Sequence, residues 1–330
     1  PPWPPGLAPT PPPSPSPPPP SPPPYPPDAA PLPPPPTPPH PPSQPIGAKQ
    51  DPHLHFAHGG TADFRGTNGT FYTMLSAPGV HFSAFTEDSE FLLSGYTPTL
   101  VRGSFFTKVY WVLRGASGQA YGVSSDSNHV QFDVFDLGRA DQTNLSQTQN
   151  LVYSKNGVWK EWWKDGIRVY YKQSSIFVRG GGWEVNCTRK PIYNQVTGSS
   201  KWHFDISMRM LDGQTGFEIH HGQASTTCLP HGVIGQSYDS DDLAVDGATD
   251  NYAHDNMASP VVTTSAQAEG AIEGKAANYI TSSRFNTSFQ YSRFHRQPSD
   301  TCAPRDVALL SGKKSKKDQL LKAASTSEDM

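Results

Sequence analysis

Lys201-Trp202-His203-Phe204-Asp205-Ile206-Ser207-Met208-Arg209-Met210 is the stretch that decides the fold. Apolar side chains take alternate positions and polar ones the positions between. A period of two sends the two sets to opposite sides of an extended strand, whereas a helix would scatter them around its circumference. Asp212-Gly213 then supplies a turn, and Phe217 and Ile219 read as the returning strand of a hairpin. Working outward, Val130, Phe132 and Val134 alternate with Gln131, Asp133 and Phe135, and Val109 to Leu113 reads the same way. Asp165-Gly166, between the aromatic run Trp159 to Trp163 and Ile167 to Tyr171, marks a second hairpin. Helix-like composition appears only near Ala266 to Ala277 and around Gln319 to Ala324. The expected fold is all-β, a twisted antiparallel two-layer β-sandwich.

Composition divides the chain. Of 36 prolines in 330 residues, 28 fall between Pro1 and Pro45. Proline lacks the N–H that helix and sheet ladders need, so polyproline II is the expected conformer there. At about 3.1 Å per residue such a segment reaches roughly 140 Å, which makes it a spacer. The expected organisation is a proline-rich spacer over 1–46, a β-sandwich over 47–300 and a basic flexible tail over 301–330. Lys313, Lys314, Lys316, Lys317 and Lys322 give the tail its charge. The net charge of −3 argues against a nucleic-acid partner. No apolar run approaches the roughly 18 residues of a transmembrane segment. Opening on Pro, the chain reads as a processed product, so the absence of a secretory signal is no argument against export.

Ser16-Pro17-Pro18-Pro19-Pro20-Ser21-Pro22-Pro23-Pro24-Tyr25 resembles the modules of extensins and other hydroxyproline-rich glycoproteins of plant and algal walls. The resemblance implies prolyl hydroxylation, O-linked sugars and cross-linking through Tyr25. Two further stretches, Asp51-Pro52-His53-Leu54 with Ala62-Asp63-Phe64-Arg65-Gly66, and Leu229-Pro230-His231-Gly232-Val233-Ile234-Gly235-Gln236, are similar to blocks that open and close von Willebrand factor type D domains. That resemblance spans Asp51 to Leu243 and implies a sandwich of the cysteine-poor plant and algal type. Ile234 stands where animal members carry cysteine, which removes the basis for disulfide-linked multimers.

Several residues are candidate sites. Asp239, Asp241 and Asp242 follow the second type D-like block, where related domains hold calcium, and a hard cation needs such converging oxygens. A solvated acidic loop is the plainer reading. His53 and His55 would share one strand face and could chelate a transition metal, although histidines near turns more often hydrogen-bond locally. Trp159, Trp162 and Trp163 could form a partner or sugar surface, with Trp159 and Trp163 on one face of a strand and Trp162 on the other. Core packing is the competing role. Sequons at Asn68, Asn144, Asn186 and Asn286 are candidate glycosylation sites. Three cysteines allow one bridge and one free thiol, and the pair considered is Cys187 with Cys228.

For catalysis the sequence offers no nucleophile elbow, zinc-protease helix, phosphate loop or dinucleotide fingerprint, and Gly180-Gly181-Gly182 reads as a turn. The expectation is a non-enzymatic, extracellular matrix or cell-wall glycoprotein that adheres to matrix protein or polysaccharide. The alternatives are a carbohydrate-binding module on a proline-rich linker and a hydrolase on a sandwich scaffold.

Overall fold

The computed structural model describes residues 46–93, 99–129, 131–139, 149–151, 161–212, 218–219, 227–239, 243–250 and 266–302. The chain divides into two units, Pro1–Pro41 and Pro42–Met330, and every described residue belongs to the second. The strands, in order, are β1 (Gly47–Lys49), β2 (His53–His55), β3 (Thr61–Asp63), β4 (Thr70–Ala77), β5 (Val80–Leu93), β6 (Thr99–Arg114), β7 (Gln119–Asp126), β8 (Asp133–Arg139) and β9 (Gln149–Leu151). They continue as β10 (Glu161–Lys164), β11 (Ile167–Lys172), β12 (Ser175–Gly180), β13 (Trp183–Pro191), β14 (Gln195–Thr197), β15 (Trp202–Leu211), β16 (Glu218–Ile219) and β17 (Ile280–Thr281). Every pair of these strands is antiparallel. A nine-stranded sheet runs β10-β11-β12-β13-β15-β1-β2-β3, with β16 also on β15, and an eight-stranded sheet runs β17-β4-β5-β6-β7-β8-β9, with β14 on β5.

The two sheets pack together as the expected all-β sandwich. The deciding stretch is β15, whose Phe204, Ile206, Met208 and Met210 enter the core. They meet Phe82, Val109, Trp111 and Val123 in one continuous apolar cluster. Tyr238 is driven into the same core, edge-on to Trp183 at 4.9 Å, and its hydroxyl donates to the Met208 carbonyl. The block around His231 to Tyr238 lies along β4, where Val233 and Ile234 donate to the carbonyls of Thr73 and Met74. Gly232 makes this approach feasible: its φ is +113°, and a Cβ there would sit 2.6 Å from the Met74 backbone.

Two expectations need correction. Val109 to Leu113 is not a strand with one wet face, since Tyr110 and Val112 are buried as well as Val109, Trp111 and Leu113. A C-terminal strap seals that outer face: Phe285 and Phe294 close a second cluster with Tyr110, Val112, Ala120, Phe135 and Leu137. A sheet covered on both sides selects apolar residues at successive positions. The helix-like stretch Ala266 to Ala277 forms no α-helix. Ala268, Gly270 and Gly274 all have positive φ, which breaks a right-handed helix, and only a short 3-10 turn over Ala276–Tyr279 follows. No helix among the described residues is long and apolar enough to cross a membrane.

Candidate functional site

The second hairpin sets the geometry of the site. Asp165 and Gly166 both have positive φ, as a two-residue hairpin turn with the twist of its strands requires, and this fixes Lys164 opposite Ile167. The register then places Trp162 opposite Val169 and Trp163 opposite Arg168. Trp162 faces inward, 5% exposed, with its ring edge-on to Tyr121 of the opposing sheet at 5.4 Å. Trp163 faces outward and is 76% exposed.

The same register carries a polar line across the outer face of the nine-stranded sheet. Arg168 pairs with Arg179, Arg179 with Glu184, and Glu184 with Arg209, so Trp163, Arg168, Arg179, Glu184 and Arg209 follow one another on five strands. Glu184 holds both flanking arginines: Arg179 Nε donates at 3.1 Å, and Arg209 donates through Nε at 2.8 Å and a terminal nitrogen at 2.5 Å. The carboxylate is buried beneath guanidinium groups that remain 41% and 43% exposed. Two cations share one anion, leaving one uncompensated positive charge in that triad. Arg168 donates to Glu161 at 2.5 Å, and this hydrogen bond is the largest cause of its raised pKa.

One step along the strands runs an aromatic row. Tyr170 and Phe177 are a cross-strand pair with rings 4° from parallel and 4.9 Å apart, and the Arg168 guanidinium lies 4.7 Å from the Tyr170 centroid. Arg168, Tyr170 and Phe177 thus form one stack that braces the hairpin beside Trp163. Asn186 follows Phe177 in this row, so a glycan on that sequon would stand on the same face.

A second polar cluster lies around β2 and β3. Arg65 bridges Asp51 at 3.1 Å and Asp250 at 2.8 Å, and His53 Nδ1 meets Asp63 Oδ1 at 2.5 Å. Asp63 also accepts from the Asp250 amide, and Asp51 from the Ser104 amide. Burial pushes the Asp51 carboxyl up to about 6, against the pull of Arg65. The Asp63 hydrogen bond raises the His53 pKa. Each carboxylate here has a donor, so the cluster fastens β2, β3, β6 and the Asp250 segment together. His53 is committed to Asp63, and burial lowers the His55 pKa.

The remaining expected sites fall out unevenly. Asp239 is buried, while Asp241 and Asp242 lie outside the described residues, as do Trp159 and Asn144. Among the described residues no group of three or more His, Cys, Asp or Glu side chains is placed to hold a metal ion. Of the tryptophans expected as one surface, Trp162 belongs to the core. Asn68 is exposed at a turn, and Asn286 is half-buried and hydrogen-bonded to Ser282. The cysteine pairing is also different. Cys228 bonds to Cys302, not to Cys187. Cys187 is a free thiol, fully buried because its position on β13 points between the sheets, and burial raises its pKa well above the usual range.

Of the outward line only Trp163 stood among the expected site residues. Arg168, Arg179, Glu184 and Arg209 were missed: Arg168 lay within reach of the register that Asp165-Gly166 sets, whereas Glu184 and Arg209 come alongside only through the long-range pairing of β13 with β15. Set against known proteins, the chain matches no family model and no curated protein.

Proposed function

We propose that this chain is a secreted matrix or cell-wall glycoprotein in which the sandwich acts as a non-catalytic adhesive head carried by the proline-rich segment. The observation that carries this reading is the unequal treatment of the two outer sheet faces. The eight-stranded sheet is sealed by the chain's own Phe285 and Phe294, whereas the nine-stranded sheet presents Trp163 and a braced row of arginines to solvent. Tryptophan and arginine are among the residue types most enriched where recognition surfaces gain their binding energy. The extensin-like run supports the extracellular setting, and its lack of N–H donors supports a spacer role.

Peptide-resolved mass spectrometry of the native secreted protein tests this. Hydroxylated prolines bearing pentoses are expected within residues 1–45. Unhydroxylated prolines would contradict the reading.

The same face gives specific support to the carbohydrate-binding alternative. An indole that exposes its ring beside hydrogen-bonding arginines suits a pyranose, which has an apolar ring face and a polar rim.

A further inference from the structure

The charge pattern of the outward line narrows the ligand. Arg179 and Arg209 are held by the single carboxylate of Glu184, so their planes are oriented before any ligand arrives. Guanidinium groups fixed in this way lose little freedom on binding, and they match carboxylates through paired N–H donors. Arg168 is likewise braced by Glu161 and Tyr170. From Arg168 to Arg209 the line crosses three strand spacings, or roughly 14 Å at about 4.8 Å each. It is therefore a track for an extended polymer lying across the strands, with Trp163 at one end.

We propose that this face binds a carboxylate-bearing polysaccharide, a polyuronate, with one sugar ring stacked on Trp163 and carboxylates received by Arg168, Arg179 and Arg209. This deepens the adhesive reading above and rests on it. A neutral glycan would make no use of the excess positive charge. A nucleic acid would ordinarily demand a far more basic surface than one spare charge on a chain of net charge −3.

The test titrates the intact chain with polygalacturonate, with its methyl ester, with neutral mannan and with single-stranded DNA, at low and at physiological salt. Polygalacturonate is expected to bind, the methyl ester and mannan to bind at least about tenfold more weakly, and added salt to reduce the affinity. Arg179→Gln with Arg209→Gln strips the partners of buried Glu184 and can disturb folding, so Trp163→Ala and Arg168→Gln serve as the informative variants. Each is expected to weaken polygalacturonate binding about tenfold with the far-ultraviolet circular dichroism unchanged. Equal affinity for the methyl ester, tighter binding to DNA, or indifference to both variants overturns the proposal. A chain that adheres to its native matrix through Trp163 but ignores polygalacturonate sinks this inference alone. A chain that binds neither sinks the adhesive reading with it.

Discussion

Trp162 and Trp163 are neighbours on one short strand with opposite fates, and the pair isolates folding from recognition. Trp162→Ala removes a core ring packed on Tyr121 and is expected to cost about 3–5 kcal/mol in denaturant unfolding. Trp163→Ala should change stability by no more than about 0.5 kcal/mol. If the two variants unfold alike, the assignment of faces is wrong. His81 offers a second test. It is fully buried on β5 beside Phe289, neither ring nitrogen has a hydrogen-bond partner, and burial lowers its pKa to about 3. The folded state keeps the ring neutral while the unfolded chain takes up a proton below about pH 6.5, so stability is lost as pH falls through that range. Between pH 6.5 and 5 the loss from this one residue is about 2 kcal/mol. Asp51 and His53, whose pKa values are raised, act in the opposite direction, so the comparison must be with His81→Leu. His55 and His295, whose pKa values burial also lowers, act in the same direction as His81. The variant should therefore show a shallower acid-side loss than the parent, and parallel pH profiles for the two would remove His81 as a cause. At this scale alternation revealed which side chains share a face. It did not reveal which face is covered, because Phe285 and Phe294 lie far along the chain from Tyr110, Val112, Ala120, Phe135 and Leu137, which they seal.

The elements were legible where turn chemistry and periodicity agreed. β15 pairs with β16, although Gly213 and Phe217 of the expected turn and returning strand lie outside the described residues, and β10 and β11 pair around Asp165-Gly166. Alanine-rich composition at 266–277 misled because helix propensity is worth only tenths of a kcal/mol per residue, and the segment instead donates and accepts singly along Asp63, Arg65 and Gln236. The pairing of Cys228 with Cys302 could not be chosen from three cysteines by spacing. Structurally it closes a loop over 74 residues and ends the strap, where Thr227 also donates to the carbonyls of Pro298 and Asp300. Replacing both cysteines by serine is expected to lower stability by about 2–4 kcal/mol and to quicken amide exchange in the strap before the sheets. Uniform exchange throughout the head would show that the strap is not a separate unit.

For the whole molecule, the fold class followed from the sequence because amphipathic strands with Gly and Asp turns admit few architectures. The outward line of Trp163 and arginines did not, since it depends on the register of five strands and on the strap closing the opposite side. The nine-stranded sheet carries different chemistry along its length: an aromatic and arginine row on β10–β13 and β15, and the Arg65 cluster that ties β2 and β3 to the Asp250 segment. The most direct measurement is depletion of the intact chain by the washed insoluble matrix of the cells that make it, alongside Trp163→Ala and a control variant, Tyr193→Ala, whose side chain is about as exposed elsewhere. The predicted result is that the parent and the Tyr193 variant sediment with the matrix while the Trp163 variant stays in solution. Equal retention of all three, or of none, would contradict the claim that this face holds the protein to its surroundings.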